Sequence, residues 1–230
     1  MNKLKTLLAV LITSAVLVLP ATAVEFRVGI AAALAAIETD GQETLKDSSG
    51  ITTHKEAAQA VIPSAFLELS MDNGLGIGYE NVPGEADLSA SERKTVVVSE
   101  EQAAAVVGND SGTQKASATV DGLNQLYLIK RFGSGLTLKY GTTSADVTTQ
   151  ESLASGSAYG NQTVDGTLWG IGWETSKSDN GFFMRTMYES IDFDTVNLTG
   201  SQVGGTAGSF NKIKADVDVQ VAKISVGKVF

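Results

Sequence analysis

The run Lys223-Ile224-Ser225-Val226-Gly227-Lys228-Val229-Phe230 closes the chain, and its reading decides the fold. Ile224, Val226 and Phe230 fall at period two, so an extended strand carries them on one face. A strand with one apolar face must bury that face in a core, a partner or hydrocarbon. The rest of the sequence determines which.

At the opposite end Lys3 and Lys5 form a basic n-region, Leu7 to Leu19 is apolar, and Pro20 precedes the small-x-small triplet Ala21-Thr22-Ala23. This pattern predicts a secretory signal over 1–23, cleaved before Val24. The apolar run is shorter than the ~20 residues that a membrane helix needs. No later stretch is long and apolar enough for one, and 24–230 reads as a single domain. Cysteine is absent, so an exported chain must rely on continuous hydrogen bonding in place of disulfides. Thiol catalysis and thiolate metal sites are excluded with it. The formal net charge is −9, and loss of Lys3 and Lys5 makes the mature chain two units more negative. A nucleic-acid partner, which needs a basic patch, is excluded.

Between the ends, segments of about ten residues alternate apolar and polar, separated in turn by short turns and long polar loops, as in a membrane barrel. Eight strands are predicted. The first covers Val24 to Ala36, with Phe26, Val28, Ile30, Ala32 and Leu34 opposite Glu25, Arg27 and Gly29, against the helix propensity of Ala31 to Ala36. A polar stretch over 37–59 follows. The second, Ala60 to Met71, sets Ala65, Leu67, Leu69 and Met71 opposite Ser64, Phe66, Glu68 and Ser70. Asp72-Asn73-Gly74 signals a hairpin. The third, Leu75 to Val82, sets Leu75, Ile77 and Tyr79 opposite Gly76, Gly78 and Glu80, before a long loop over 83–118. The fourth, Thr119 to Phe132, is apolar on both faces and its register stays open. Gly133-Ser134 turns into the fifth, Gly135 to Asp146, with Leu136, Leu138 and Tyr140 opposite Thr137, Lys139 and Gly141. The sixth, Thr163 to Thr175, sets Trp169, Ile171 and Trp173 opposite Gly170, Gly172 and Glu174. A turn over 176–180 leads to the seventh, Gly181 to Asp194, with Phe182, Met184 and Tyr188 outward and Arg185 and Glu189 inward. The eighth runs from Asn211 to Phe230 after a loop over 195–210. Its parity changes between Val221 and Ile224. A β-bulge near Ala222 would reconcile the halves; so would an upper half above the bilayer, where outward polarity costs little.

Three short turns and four long loops, with both termini on the short-turn side, predict an all-β fold: an eight-stranded antiparallel up-and-down transmembrane β-barrel. Thr95-Val96-Val97-Val98 could add strands and widen it to ten. A soluble β-sandwich would have to bury Trp169, Ile171 and Trp173 against a second sheet.

On this register Arg27, Lys139 and Arg185 face the lumen with Glu68, Glu80, Glu174 and Glu189. An eight-stranded barrel is only wide enough for side chains to fill it, so paired charges form either a plug or a gated ion path. Tyr79, Tyr140, Trp169, Trp173, Phe182, Tyr188 and Phe230 read as membrane-interface aromatics, and Lys228 as a side chain that snorkels to the headgroups. Asp192, Asp194, Asp216 and Asp218 at the outer rim are read as solvated charges or as charges paired with Lys212 and Lys214 across the hairpin, in preference to a Ca²⁺ or Mg²⁺ site. His54 is the one histidine and lies in a polar stretch without a triad partner. No catalytic residue, metal or cofactor is expected, and the chain is not read as an enzyme. Gly74-Leu-Gly76-Ile-Gly78 precedes no helix and is no dinucleotide fingerprint; the glycines make room for inward side chains.

The signal, the eight-strand pattern and Phe230 resemble the small outer-membrane barrels of Gram-negative bacteria, of the OmpA-transmembrane-domain, OmpX and opacity-protein type. The resemblance covers 24–230 and is architectural. It implies location in the outer membrane, contact with lipid and lipopolysaccharide, and insertion by the outer-membrane assembly machinery reading Phe230 as an assembly signal. Lys228 departs from the pattern, and no peptidoglycan-binding domain is expected after the barrel. The expected function is that of a monomeric plugged barrel acting through its loops on an unidentified extracellular ligand, in surface interaction or envelope integrity. The other reading is a narrow porin-like channel for ions or small solutes.

Overall fold

In a computed structural model, residues 24–44, 51–84, 86–87, 115–152, 159–201 and 212–230 are described. The strands are β1 (Val24–Thr44), β2 (Ile51–Met71), β3 (Leu75–Asn81), β4 (Ala86–Asp87), β5 (Lys115–Arg131), β6 (Leu136–Ser152), β7 (Gln162–Glu174), β8 (Phe182–Phe193), β9 (Val196–Thr199) and β10 (Lys212–Val229). Neighbours pair antiparallel in the order β1-β2-β3-β5-β6-β7-β8-β10, and β10 returns to β1 from Arg27↔Val229 to Thr44↔Lys212. The sheet therefore closes into an eight-stave up-and-down barrel. The short β4 continues the β3 stave by pairing with β5, and β9 continues the β8 stave by pairing with β10. Ten staves are ruled out, because β3 pairs directly with β5 and leaves no place between them. Thr95–Val98 lies outside the described residues, as does 1–23, where a signal is expected.

The three tight turns fall where turn chemistry places them. At the first, the Gly74 amide donates to the Met71 carbonyl at 2.8 Å and the Leu75 amide to Asn73 Oδ1 at 2.9 Å. Gly74 has φ +79°, and a Cβ there would meet the Arg131 carbonyl oxygen at 2.2 Å, so only glycine fits.

Two parity questions left open by the sequence are settled by pairing. Strand β5 turns Gln125, Tyr127, Ile129 and Arg131 inward, because Tyr127 pairs with Gly141 and Ile129 with Lys139, both inward residues of β6. Strand β10 runs against β1 without a break, so there is no bulge at Ala222. Val217 and Val221 are buried inside, whereas Ala222, Ile224 and Val226 face out. The change of apolar face is real: the lower half carries its apolar side chains on the outer face, and the upper half buries its apolar face in the lumen.

The strands also run further than predicted. Most of 37–59 is strand, since β1 continues to Thr44 and β2 starts at Ile51; His54 stands in this ladder opposite Gly41. Within 195–210, residues 196–199 form β9. The alanine-rich Ala31–Ala36 is strand despite its helix propensity. Pairing on both sides there, with Ala31, Ala33 and Ala35 inside and Ala32 and Leu34 outside, outweighs an intrinsic preference of a few tenths of a kcal/mol per residue.

The solvent preference of the barrel is inverted in its lower half. Large apolar side chains are exposed outside, among them Ile30, Leu67, Trp169, Ile171, Trp173, Phe182 and Ile224. Arg27, Glu68, Arg185 and Glu189 are buried inside. Such a surface is stable only against hydrocarbon, and a closed sheet satisfies the backbone there. A sandwich burying Trp169 and Trp173 is excluded, since both are half exposed.

Candidate functional site

The lumen holds two stacked ion clusters. In the lower one Glu68, 0% exposed, accepts a bidentate pair from Arg185 at 2.7 and 2.9 Å. It also accepts from the Tyr127 hydroxyl at 2.8 Å and from Arg131. Glu174 accepts from Arg27 at 2.6 Å, Arg185 at 2.8 Å and Arg131 at 3.2 Å. Arg27 also reaches Glu25 at 3.0 Å, and Arg131 donates to Ser70 at 2.6 Å. The Phe66 and Phe183 rings flank this cluster, with the Arg185 guanidinium 5.2 and 5.4 Å from their centroids. Inward glycines admit the rings: a Cβ on Gly29 would come within 2.3 Å of Phe66, and one on Gly227 within 2.4 Å of Phe183. Gly78 does the same for Tyr127, whose ring would lie 2.4 Å from an added Cβ.

The upper cluster is a four-membered ring. Lys139 contacts Glu80 at 2.8 Å and Glu189 at 2.9 Å, and Lys223 contacts the same two carboxylates at 2.6 and 2.9 Å. Lys139 also donates to Gln125 Oε1 at 2.7 Å, and Ser64 donates to Glu80 at 2.6 Å. The Lys139 ammonium lies 4.1 Å from the Tyr127 centroid, which joins the two clusters. Burying a lone charge costs several kcal/mol, and removal of one partner from a buried pair costs about 3–5. Here each charged group meets at least two opposite charges.

All seven charged residues singled out from the sequence, Arg27, Glu68, Glu80, Lys139, Glu174, Arg185 and Glu189, lie inside and within these clusters. Arg131 and Lys223 were missed. The undecided register of β5 hid Arg131. Lys223 was legible, because it has the opposite parity to Ile224 and Val226, but a bulge placed beside it obscured that.

Above the clusters the lumen becomes apolar. Ala33, Ala35, Ile37, Val164, Leu168, Ile191, Phe193, Val217 and Val221 form one buried cluster with Tyr159, Val196 and Leu198, which pack over it. Between this cluster and the ion ring lies a cavity of about 360 Å³. Its walls include Ile37, Ile62, Val82, Val120, Leu123 and Val221, and its floor Ser64, Glu80, Gln125, Glu189 and Lys223.

The cavity reaches the outside of the wall. Pairing of β2 with β3 ends at Ala65↔Asn81, although β2 continues upward to Ile51. Beyond Asn81 the chain leans toward β5: the Val82 amide donates to the Leu123 carbonyl at 2.9 Å, and Ala86–Asp87 pair with 119–120. Among the described residues no strand pairs with this side of β2 above Ala65. Pro63 contributes no amide donor to the open side. Val61, 77% exposed, and Pro63 line the cavity from β2, and Pro83 and Gly84 line it from the other side.

The seven aromatics expected at a membrane interface all face outward. Tyr188 donates to Gln220, Tyr79 donates to Asn124 at 2.5 Å, and Trp169 packs edge-on to Tyr188 at 5.9 Å. Phe230 packs against Phe26 at 6.2 Å, and the Lys228 ammonium lies over the Phe230 and Phe182 rings at 4.9 and 5.5 Å. At the rim, of the two alternatives for the aspartates, pairing with the lysines does not occur across the strands, and the four aspartates are exposed. Lys212 and Lys214 stand opposite Thr199 and Asn197, whereas Asp218 stands opposite both Asp192 and Glu38. The register of β10 with β9 and β1 sets these neighbours. Among the described residues no group of three or more His, Asp or Glu is placed to hold a metal ion.

No protein-family model matches the chain, and no curated protein matches it in sequence. Solved structures do match in fold. The outer membrane protein OprG of Pseudomonas aeruginosa is similar with a TM-score of 0.57 at 13% identity, over 90% of this chain and 96% of that one. The outer membrane protein AlkL, solved in lipid bilayers, is similar with a TM-score of 0.53 at 12% identity, over 92% and 95%. With its closed eight-stave sheet, apolar outside and charged inside, the chain has the fold of the small outer-membrane β-barrels of Gram-negative bacteria.

Proposed function

We propose that this outer-membrane barrel takes up small apolar molecules. They enter its upper lumen and pass sideways, between β2 and the β3–β5 side, toward the membrane. One observation carries the reading: an apolar cavity of about 360 Å³ sits on a closed ionic floor and reaches the outer wall at a seam in the sheet. A straight aqueous path is disfavoured, because among the described residues every lumenal charge below the cavity is engaged by an opposite one and aromatic rings fill the space between. An apolar solute could not cross that floor without breaking buried ion pairs. The seam offers it a route lined by Val61, Ile62, Val82 and Leu123.

Two measurements on the refolded protein test this. Single-channel recording in planar bilayers is expected to show no discrete steps, and a fluorescent apolar probe is expected to bind the barrel saturably. Val221→Trp, which fills the cavity from a wall position, is expected to abolish probe binding while the heat-modifiable gel migration of a folded barrel persists. Regular ion steps, or unchanged binding in the filled variant, would contradict the proposal. The extension of β1, β2, β6 and β10 beyond the apolar band supports a second role at the cell surface, where the outward Glu38, Asp40, Asp192, Asp216 and Asp218 are displayed.

A further inference from the structure

The floor of the cavity carries information about the head of the molecule that occupies it. We infer that the cavity selects neutral aliphatic molecules bearing one hydrogen-bond-accepting oxygen at an end, such as medium-chain ketones, aldehydes or alcohols, over ionised fatty acids and over plain alkanes. This rests on the cavity reading above and adds the chemistry of the ligand's polar end.

Charge comes first. The ring that forms the floor contains two cations, Lys139 and Lys223, and two anions, Glu80 and Glu189, each within 2.9 Å of both opposite partners. Its formal charge is therefore zero. An incoming carboxylate would bring an uncompensated charge into a low-dielectric space, beside two existing carboxylates. A neutral head brings none.

Hydrogen bonding comes second. Lys139 has three N–H donors, and Glu80, Glu189 and Gln125 take all three. Lys223 also has three, but among the described residues its partners are Glu80 and Glu189 alone, so one donor is uncommitted. Gln125 is 2% exposed and uses its oxygen to accept from Lys139. Its amide NH₂ has no partner among the described residues. Both residues line the cavity. The carboxylate oxygens, by contrast, already accept: Glu80 Oε1 takes both Ser64 and Lys223. The floor thus offers donors without net charge, which a carbonyl, ether or hydroxyl oxygen satisfies and an alkane leaves orphaned.

The tail follows from the walls, which are aliphatic except for Phe193 and the carboxylate of Asp121. Roughly a dozen water-sized groups fill 360 Å³ at about 30 Å³ each, which suits a chain of medium length.

The test is displacement of a fluorescent apolar probe from the full barrel in lipid nanodiscs at pH 8. The competitors are 2-decanone, 1-decanol, n-decane and decanoate, each referred to its own partition into protein-free discs. The ketone and the alcohol are expected to displace at about tenfold lower concentration than decane or decanoate, the size of one or two net hydrogen bonds. Glu189→Gln, which makes the floor net positive, is expected to admit decanoate. As a readout that needs no variant, the side-chain amide resonance of Gln125 is expected to shift with 2-decanone and not with decane. Equal displacement by decane and ketone, or preferential displacement by decanoate from the unsubstituted barrel, would overturn the head-group inference and leave the cavity reading standing. Failure of the probe and of every competitor to bind would overturn both.

Discussion

Glu68→Gln is the most informative single substitution in the plug. The Glu68 carboxylate is fully buried and accepts from Arg185 twice, from Arg131 and from Tyr127. An amide of the same shape keeps one acceptor oxygen but aims an NH₂ at an arginine. Hydrogen bonds to charged groups contribute about 1.5–3 kcal/mol each, but losses around one carboxylate are not additive. The better guide is the removal of one partner from a buried ion cluster, at about 3–5 kcal/mol. The charge count agrees. Arg27, Arg131 and Arg185 are balanced by Glu68, Glu174 and Glu25, and the substitution leaves one cation uncompensated. Unfolding by guanidinium in lipid vesicles, followed by tryptophan fluorescence, is expected to show a loss of about 3–5 kcal/mol. Removing the excess cation as well, in the double variant Glu68→Gln with Arg131→Met, is expected to recover about half of it. A single-variant loss below about 1 kcal/mol, the size of one ordinary hydrogen bond, would refute the buried network as described. A double variant as unstable as the two single losses added together would show that Arg131 and Glu68 do not interact energetically.

Three further outcomes are expected. Gly29→Ala sets a Cβ 2.3 Å from the Phe66 ring and 2.6 Å from the Val226 carbonyl oxygen, so it should cost about 1–3 kcal/mol in the same unfolding assay; a neutral result would show that the ring moves freely. Glu80→Gln combined with Glu189→Gln leaves Lys139 and Lys223 without their carboxylates and should give anion-selective steps in planar bilayers, where continued silence would mean that the lower cluster alone seals the lumen. Phe230→Ala should lower the amount of folded protein in the outer membrane far more than it slows refolding into vesicles, since its ring contacts only the terminal Phe26 and Lys228 among the described aromatic and cationic groups; equal effects in both would argue against a signalling role in assembly.

Particular strands show how far local reading reached. In β8, Phe182, Met184 and Tyr188 against Arg185 and Glu189 determined both faces, because a polar–apolar alternation can be satisfied in only one orientation when lipid lies on one side. In β5 the run Leu126-Tyr127-Leu128-Ile129 has no such contrast, and only pairing with β6 turned Tyr127 and Arg131 inward. In β10 the alternation was legible, but its reversal near Ala222 was open to two explanations. The unbroken ladder with β1 chose between them, and it carries the sheet past the outward apolar belt around a buried apolar interior.

From sequence alone came the all-β class, the three tight turns and seven of the inward charges, though not Arg131 or Lys223, because turn chemistry and period-two alternation are properties of a few consecutive residues. Which charges meet was decided only by closure. Arg27 and Glu174 are 147 residues apart, and Lys223 and Glu80 are 143 apart; the register around the whole ring brings them to one level. The cavity likewise has no local signature. It exists because β3 stops at Asn81 and leans toward β5 while β2 continues to Ile51, and a mismatch in length between neighbouring strands becomes a space only once the sheet has closed.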